Sequence, residues 1–141
     1  MTMNPKRILI LCTGNSARSQ MAEGLMRAAL PADARVFSAG TKPSLVRPEA
    51  IAVMAELGID LSGHRSKSVD EFIRQEFDYV ITVCDNANEA CPIFLGRTKR
   101  LHWPFGDPAG VTGSEAERQV AFRKVRDQIR TKIADWVSSI T

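Results

Sequence analysis

The sequence is short of the features that mark several protein classes. Aromatic residues are few: six Phe, two Trp and a single Tyr among 141 residues. A nucleic-acid binder gathers basic charge into a stripe and interleaves it with stacking rings. Here 19 Lys+Arg face 16 Asp+Glu, scattered along the chain, for a net charge of +3. Nucleic acid is therefore not an expected partner, whereas a small anion is. Long apolar runs are absent too. The most hydrophobic unbroken run is residues 8–12, far below the roughly 20 residues that span a bilayer. Residues 1–7 are not followed by the apolar stretch of about 7–15 residues that defines a signal peptide. The expectation is a soluble, cytoplasmic protein with no membrane partner.

Cysteine is scarce and odd in number: Cys12, Cys84 and Cys91. Three thiols cannot form a fully paired disulfide framework, and in a reducing compartment they mean packing, metal binding or reactivity. Six residues separate Cys84 from Cys91, wider than the spacing of about two to four in zinc sites, and no His stands at ligand spacing nearby. No metal is expected.

What remains is an ordinary globular mixture, 44% hydrophobic and 25% charged, which argues against disorder, collagen and coiled coil. The length suits one domain over residues 1–141, burying about two-thirds of its unfolded surface. No repeat or linker divides it, and a monomer is expected. Residues 7–11 read as a buried strand, stopped by Gly14 and Asn15. A helix follows over 17–30, ended by Pro31. Residues 35–38 form a second strand. Pro48 opens a helix whose apolar face is Ile51, Met54 and Ala55, closed by Gly58. Val69, Phe72 and Ile73 suggest a short helix, residues 79–83 a third strand and residues 99–103 a fourth. Phe122, Val125, Ile129, Ile133, Trp136 and Ile140 step by three or four along a long C-terminal helix. Strands alternating with helices imply an α/β three-layer sandwich, a four-stranded, mainly parallel sheet flanked by helices on both faces. Ligands of such sheets bind beyond the carboxyl ends of the strands, where Cys12, Cys84 and Asp107 all fall.

The most informative stretch is Cys12-Thr13-Gly14-Asn15-Ser16-Ala17-Arg18-Ser19. A cysteine ends a strand, five residues turn, and an arginine opens a helix. Small residues let successive backbone N–H groups point inward as an anion nest at the positive end of a helix. Arg18 adds a planar fork matching two oxygens of a tetrahedral oxyanion such as phosphate or sulfate. The same groups favour a thiolate, whose titration such surroundings lower to roughly 3.5–7.5. Alone, Cys12 would be a small core residue at a strand end; Arg18 at this spacing, in a strand–turn–helix context, turns the reading to oxyanion chemistry by a cysteine. Asp107, before Pro108 and after Gly106, fits ordinary turn chemistry as well as catalysis. His64 and His102 read as turn or strand-end hydrogen-bonders.

This loop, with Gln20-Met21-Ala22-Glu23-Gly24 after it, resembles the thioredoxin-coupled arsenate reductases built on the low-molecular-weight tyrosine phosphatase fold. The likeness continues through Ser38-Ala39-Gly40, Gly58-Ile59-Asp60, Val83-Cys84, Ala90-Cys91-Pro92 and Trp103 to Asp107-Pro108-Ala109. The resemblance implies a substrate loop over Thr13, Gly14, Asn15, Ser16, Ala17, Arg18 and Ser19. It implies that Cys12 attacks arsenate while Asp107 protonates the departing oxygen. Cys84 then attacks Cys12, releasing arsenite, and Cys91 moves the disulfide to Cys84–Cys91 for thioredoxin, or a similar dithiol protein, to reduce. No bound cofactor is implied. Two other readings stay open: a tyrosine phosphatase, and a non-catalytic oxyanion or redox sensor. Ala109 counts against the first, because phosphatases of this fold carry aromatics after Asp-Pro; a leaving-group acid counts against the second.

Two further expectations attach to the relay. Seven residues of unbroken helix hold two Cα atoms about 10.5 Å apart, and a disulfide tolerates about 4.4–6.8 Å. Residues 84–91 must therefore be a loop, or unwind, when Cys84 and Cys91 pair. Their polar content, with Asp85, Asn86, Asn88 and Glu89, suits an exposed segment. In parts of the family Asn15, Glu23, Ser38 and an acid in a His-x-Ser-acid segment help hold potassium. Here that segment is His64-Arg65-Ser66-Lys67, and the Lys67 ammonium is expected to take over the charge near Glu23 and Asn15.

Overall fold

The computed structural model describes residues 7–94 and 96–140, the side chains of Asn86 and Asn88 aside. The readings made on those two side chains and on residues 1–6 lie outside the described residues. Four strands form the sheet: β1 (Arg7–Cys12), β2 (Arg35–Gly40), β3 (Tyr79–Thr82) and β4 (Lys99–His102). They pair only in parallel, in the order β2-β1-β3-β4. Helices α1 (Arg18–Ala29), α2 (Pro48–Ala55), α3 (Asp85–Glu89) and α4 (Glu115–Ile140) connect or follow them. Two 3-10 turns complete the chain, Val69–Glu71 and Pro108–Gly110.

β1 and β3 are buried nearly throughout, as parallel strands covered on both faces must be. The two covers follow from register. Leu9 pairs with Phe37 and Val80, whereas Ile8 pairs with Tyr79, so Phe37 and Tyr79 point to opposite faces. Tyr79 meets Trp136 of α4 edge-on at 4.9 Å between ring centres. Phe37 meets Phe72 and Phe77 at 5.5 and 6.0 Å. Aromatic clusters thus seal the sheet from both sides, making the three layers.

The α2 face differs from the sequence expectation. Ala50, Val53 and Met54 are buried, while Ile51 is half-buried and Ala55 exposed. Every residue from 50 to 55 is apolar, so the pattern carries no phase, and packing against α4 and α1 selects the face. The short helix expected around Val69 is a single 3-10 turn with Ser68 as its cap, Oγ accepting from Asp70 N–H. Segment 85–89, expected to be a loop or to unwind when Cys84 and Cys91 pair, is helical here, where all three cysteines are free thiols.

β1 is central, and the chain leaves it for β2 on one side and reaches β3 on the other. That reversal opens a crevice at the carboxyl end of β1. Cys12 is the residue that ends β1.

Candidate active site

The turn after β1 is shaped from outside. The carbonyls of Cys12, Thr13, Gly14 and Ser16 accept from the backbone N–H groups of Thr41, Lys42, Ser44 and Arg47, at 3.2, 2.9, 3.1 and 2.9 Å. In a trans peptide the next N–H points opposite to the carbonyl, and no cis bond occurs among the described residues. The N–H groups of Thr13, Gly14, Asn15 and Ala17 therefore turn inward, the Thr13 N–H onto the Cys12 sulfur. Gly40 makes the close approach possible. A Cβ there would fall 2.4 Å from the Thr13 carbonyl oxygen and 2.9 Å from the Asn15 nitrogen.

Asn15 bends the turn with φ +47°, a left-handed conformation that Asn tolerates better than most residues. Its buried side chain is fully engaged. Nδ2 donates to Ser19 Oγ (2.8 Å) and Ser38 Oγ (2.9 Å), and Oδ1 accepts from Gln20 Nε2 and Lys67 N–H, both at 2.9 Å. Gln20 also donates to the Arg65 carbonyl at 2.9 Å, and Ser66 Oγ donates to the Gly14 carbonyl at 2.8 Å. Gln20 and Ser66 are the supports that residue-level reading missed. Gln20 ties Asn15 to the Arg65 carbonyl 45 positions away, and Ser66 reaches Gly14 across 52, links that no local pattern announces.

Behind Asn15, Ser38 donates to the buried Glu23 at 2.8 Å. Three cations or would-be cations face that carboxylate: His64 Nδ1 at 3.1 Å, Arg27 at 3.3 Å and Lys67 Nζ at 4.0 Å. Lys67 Nζ also donates to the Arg65 carbonyl at 3.0 Å. Burial pushes the Lys67 ammonium below its ordinary range, with Glu23 opposing. Burial likewise lowers His64, again against Glu23.

Arg18, the first residue of α1, lies over the mouth. Its Nη1 donates to the Phe105 carbonyl at 2.9 Å, and its Nη2 stands 3.8 Å from Asp107 Oδ2. Asp107 caps the 3-10 turn 108–110 through Ala109 N–H at 3.0 Å, leaving its carboxylate half-exposed beside the guanidinium.

Cys84 follows β3, and its thiol interacts with that of Cys12. Its Sγ lies 3.3 Å from Thr13 Oγ1 and accepts from Ala87 N–H, capping α3. The two sulfurs share a proton. The hydrogen bond from Cys12 pulls Cys84 down to about 5, helped by Thr13, the Ala87 N–H and Arg18 against burial. The same bond, with burial, pushes the Cys12 thiol up, against Arg18 and the Thr13 N–H. The sequence led us to expect the lowering at Cys12; it falls on Cys84 instead, and the two thiols titrate as a pair. Cys91, beyond α3, is half-buried, its thiol 3.5 Å from the Pro92 carbonyl and raised by burial.

A thiol pair, an amide nest, a guanidinium and a carboxylate thus meet at one crevice. The family model for low molecular weight phosphotyrosine protein phosphatases matches residues 7–141. An arsenate reductase of Halalkalibacterium halodurans is 44% identical over 137 residues, covering 97% of this chain and 99% of its own. The chain belongs to this phosphatase family, among its arsenate reductases. A solved arsenate reductase in a phosphate-binding state superposes with a TM-score of 0.76 at 32% identity, covering 96% of this chain and 99% of its own. A tyrosine phosphatase of Erwinia amylovora superposes with a TM-score of 0.77 at 25% identity, covering 100% and 95%. This family therefore includes both hydrolytic and reductive members, and the thiols decide between them. No helix among the described residues is long and apolar enough to cross a membrane.

Proposed function

We propose that the protein reduces arsenate to arsenite with Cys12, Cys84 and Cys91 acting in turn. A thioredoxin-like dithiol protein is the electron donor, and the enzyme works as a cytoplasmic, one-domain monomer without a bound cofactor. One observation carries the reading: a second sulfur, Cys84, lies against the nucleophile's turn, 3.3 Å from Thr13 Oγ1, and its titration is linked to that of Cys12. A hydrolase of this fold needs Cys12, Arg18 and Asp107 and has no use for that sulfur.

The steps balance as follows. The inward N–H groups of Thr13, Gly14, Asn15 and Ala17 and the Arg18 fork bind the arsenate oxygens. Cys12, deprotonated by passing its proton within the pair, attacks arsenic; an As–S bond forms, an As–O bond breaks, and Asp107 protonates the oxygen that leaves as water. Cys84, giving up its proton to an arsenic-bound oxygen, attacks the Cys12 sulfur as a thiolate. The S–As pair of electrons stays on arsenic, taking As(V) to As(III), and arsenite departs. Cys91 then attacks Cys84, freeing Cys12 as the leaving thiolate, a step whose rate follows access and thiolate character. Two electrons from the external dithiol restore the Cys84–Cys91 pair.

Lys67 belongs to the same proposal. Glu23 already faces Arg27, His64 and the Lys67 ammonium, and Asn15 Oδ1 already accepts from Gln20 Nε2 and the Lys67 N–H. That donor set does not fit a potassium ion, and Lys67 supplies the positive charge behind the loop.

The test incubates the protein with arsenate, thioredoxin, thioredoxin reductase and NADPH. Sustained NADPH loss is expected. No loss, alongside rapid aryl phosphate hydrolysis, would establish the phosphatase reading that the Erwinia neighbour favours. Given one equivalent of arsenate, Cys91→Ser should trap a Cys12–Cys84 disulfide, detected by mass spectrometry after digestion. Multiple turnover by that variant would refute the role of Cys91.

A further inference from the structure

His102, the last residue of β4, plays no part in the chemistry above, yet both its ring nitrogens are engaged. Nδ1 lies 2.7 Å from Thr82 Oγ1, and Nε2 lies 2.9 Å from Asp85 Oδ1. Thr82 is the neighbour of His102 across the β3–β4 ladder and is itself buried; its hydroxyl also reaches the Leu101 carbonyl at 3.4 Å. A neutral ring satisfies both contacts: Nε2–H donates to Asp85, and Nδ1 accepts the Thr82 hydroxyl. The imidazole is thus fixed to the sheet at one end and to the first residue of α3 at the other.

We propose that His102 is a positioning residue for the redox segment, holding residues 85–89 helical through Asp85 while Cys84 and Cys91 are thiols. This role rests on the geometry of the segment and on the relay proposed above. A five-residue helix extends about 7.5 Å, beyond the Cα separation of about 4.4–6.8 Å that a disulfide accepts. Cys84 and Cys91 flank this helix, so their pairing requires it to open. Two contacts resist opening: the Cys84 sulfur accepting from Ala87 N–H, and Asp85 on His102. The first is weakened as soon as Cys84 becomes a disulfide, because the thiolate that accepts the bond is gone. The second is independent of sulfur chemistry and remains to be released.

Its strength suits a latch. The Asp85 side chain is 82% exposed and that of His102 28% exposed. A polar contact so open to water holds weakly and is easily released. A buried pair at this place would lock the helix and stall the third step.

Because the contact exists only in the helical dithiol, it favours the dithiol over the disulfide. Oxidation of the pair forms one S–S bond, breaks two S–H bonds and passes two electrons and two protons to the disulfide of a redox buffer. Loss of the contact should raise the equilibrium constant for that oxidation about two- to fivefold. For a two-electron couple this lowers the reduction potential by ~10–20 mV.

The test measures the Cys84–Cys91 potential in the full chain carrying Cys12→Ser, equilibrated with oxidised and reduced dithiothreitol and read by thiol trapping and mass spectrometry. Asp85→Ala, His102→Ala and the double variant complete a cycle, which removes the helix-propensity effect of each substitution. The expected result is that Asp85→Ala shifts the equilibrium constant about two- to fivefold less when His102 is already Ala. Equal shifts in both backgrounds would overturn the latch alone, leaving the relay intact. Failure of the parent to form a Cys84–Cys91 disulfide at any poise would overturn the relay, and the latch with it.

Discussion

A cysteine left to itself titrates near 8.5, and one buried at a strand end is pushed higher. At positions 12 and 84 the outcome turns on proximity, because two sulfurs sharing one proton lose their first proton early and their second late. The lowered value at Cys84, about 5, has the bond from Cys12 as its largest cause and the Thr13 hydroxyl as the next lowering one. The sign is that of an acid whose anion is favoured: thiolate is present above about pH 5 and lost below it. An ultraviolet thiolate titration of the anion-free protein should therefore show a step near pH 5 that Cys84→Ser removes. Thr13→Val should move the step upward by about one to two pH units, since a hydrogen bond to a charged group is worth about 1.5–3 kcal/mol. Lys67 supplies a second residue-scale test. With its ammonium 4.0 Å from Glu23, replacing sodium chloride by potassium chloride at constant ionic strength should leave kcat/KM unchanged. Lys67→Asp should gain a potassium response. Strong potassium activation of the unaltered protein would show that Lys67 does not fill that role.

At the scale of elements, the nucleophile's turn is a cast rather than a free loop. Its carbonyls are pinned by residues 41–47, and the end of β2 passes close enough to touch it. Gly40→Ala would drive a Cβ into two backbone atoms, neither of which can rotate away. The expected cost is about 1–3 kcal/mol of stability, together with loss of the anion nest. In thermal unfolding, Tm should fall, and phosphate, expected to stabilise the unaltered protein by binding its folded state, should no longer raise it. A Gly40→Ala protein that unfolds and responds to phosphate like its parent would show that the turn holds its shape without β2. This dependence also explains what could be read from the chain alone. The Cys12–Arg18 turn is local, seven residues bounded by a strand and a helix, and its composition declares it. The cast is built from residues 23 to 52 positions away, where contact follows only from the sheet order. Helix α3 was invisible for another reason: five mostly polar residues have no apolar face, and its stability comes from contacts with Cys84 and His102.

Over the whole molecule, strand and helix order was legible because burial writes a period of its own into each kind of element. β1 is apolar from Ile8 to Cys12 and β3 from Tyr79 to Ile81, and α4 repeats every three or four residues for most of its length. The surface was less legible, because function there depends on what another protein must reach. If an external dithiol reduces the Cys84–Cys91 disulfide, one of its sulfurs must approach Cys91 or Cys84, and the ground around Cys91 becomes an interface by necessity. Ile93, two residues on, is 91% exposed, the most exposed of the large hydrophobic side chains among the described residues. Water contact with a side chain of that size costs about 1.5–3 kcal/mol relative to burial, so docking that covers it strengthens association. Ile93→Asp should raise the KM for thioredoxin by about 10- to 100-fold while kcat and the single-turnover oxidation by arsenate stay the same. The split is the informative part. A fall in the single-turnover step would place Ile93 in the relay's own geometry, and an unchanged KM would mean that the reductant approaches from another side.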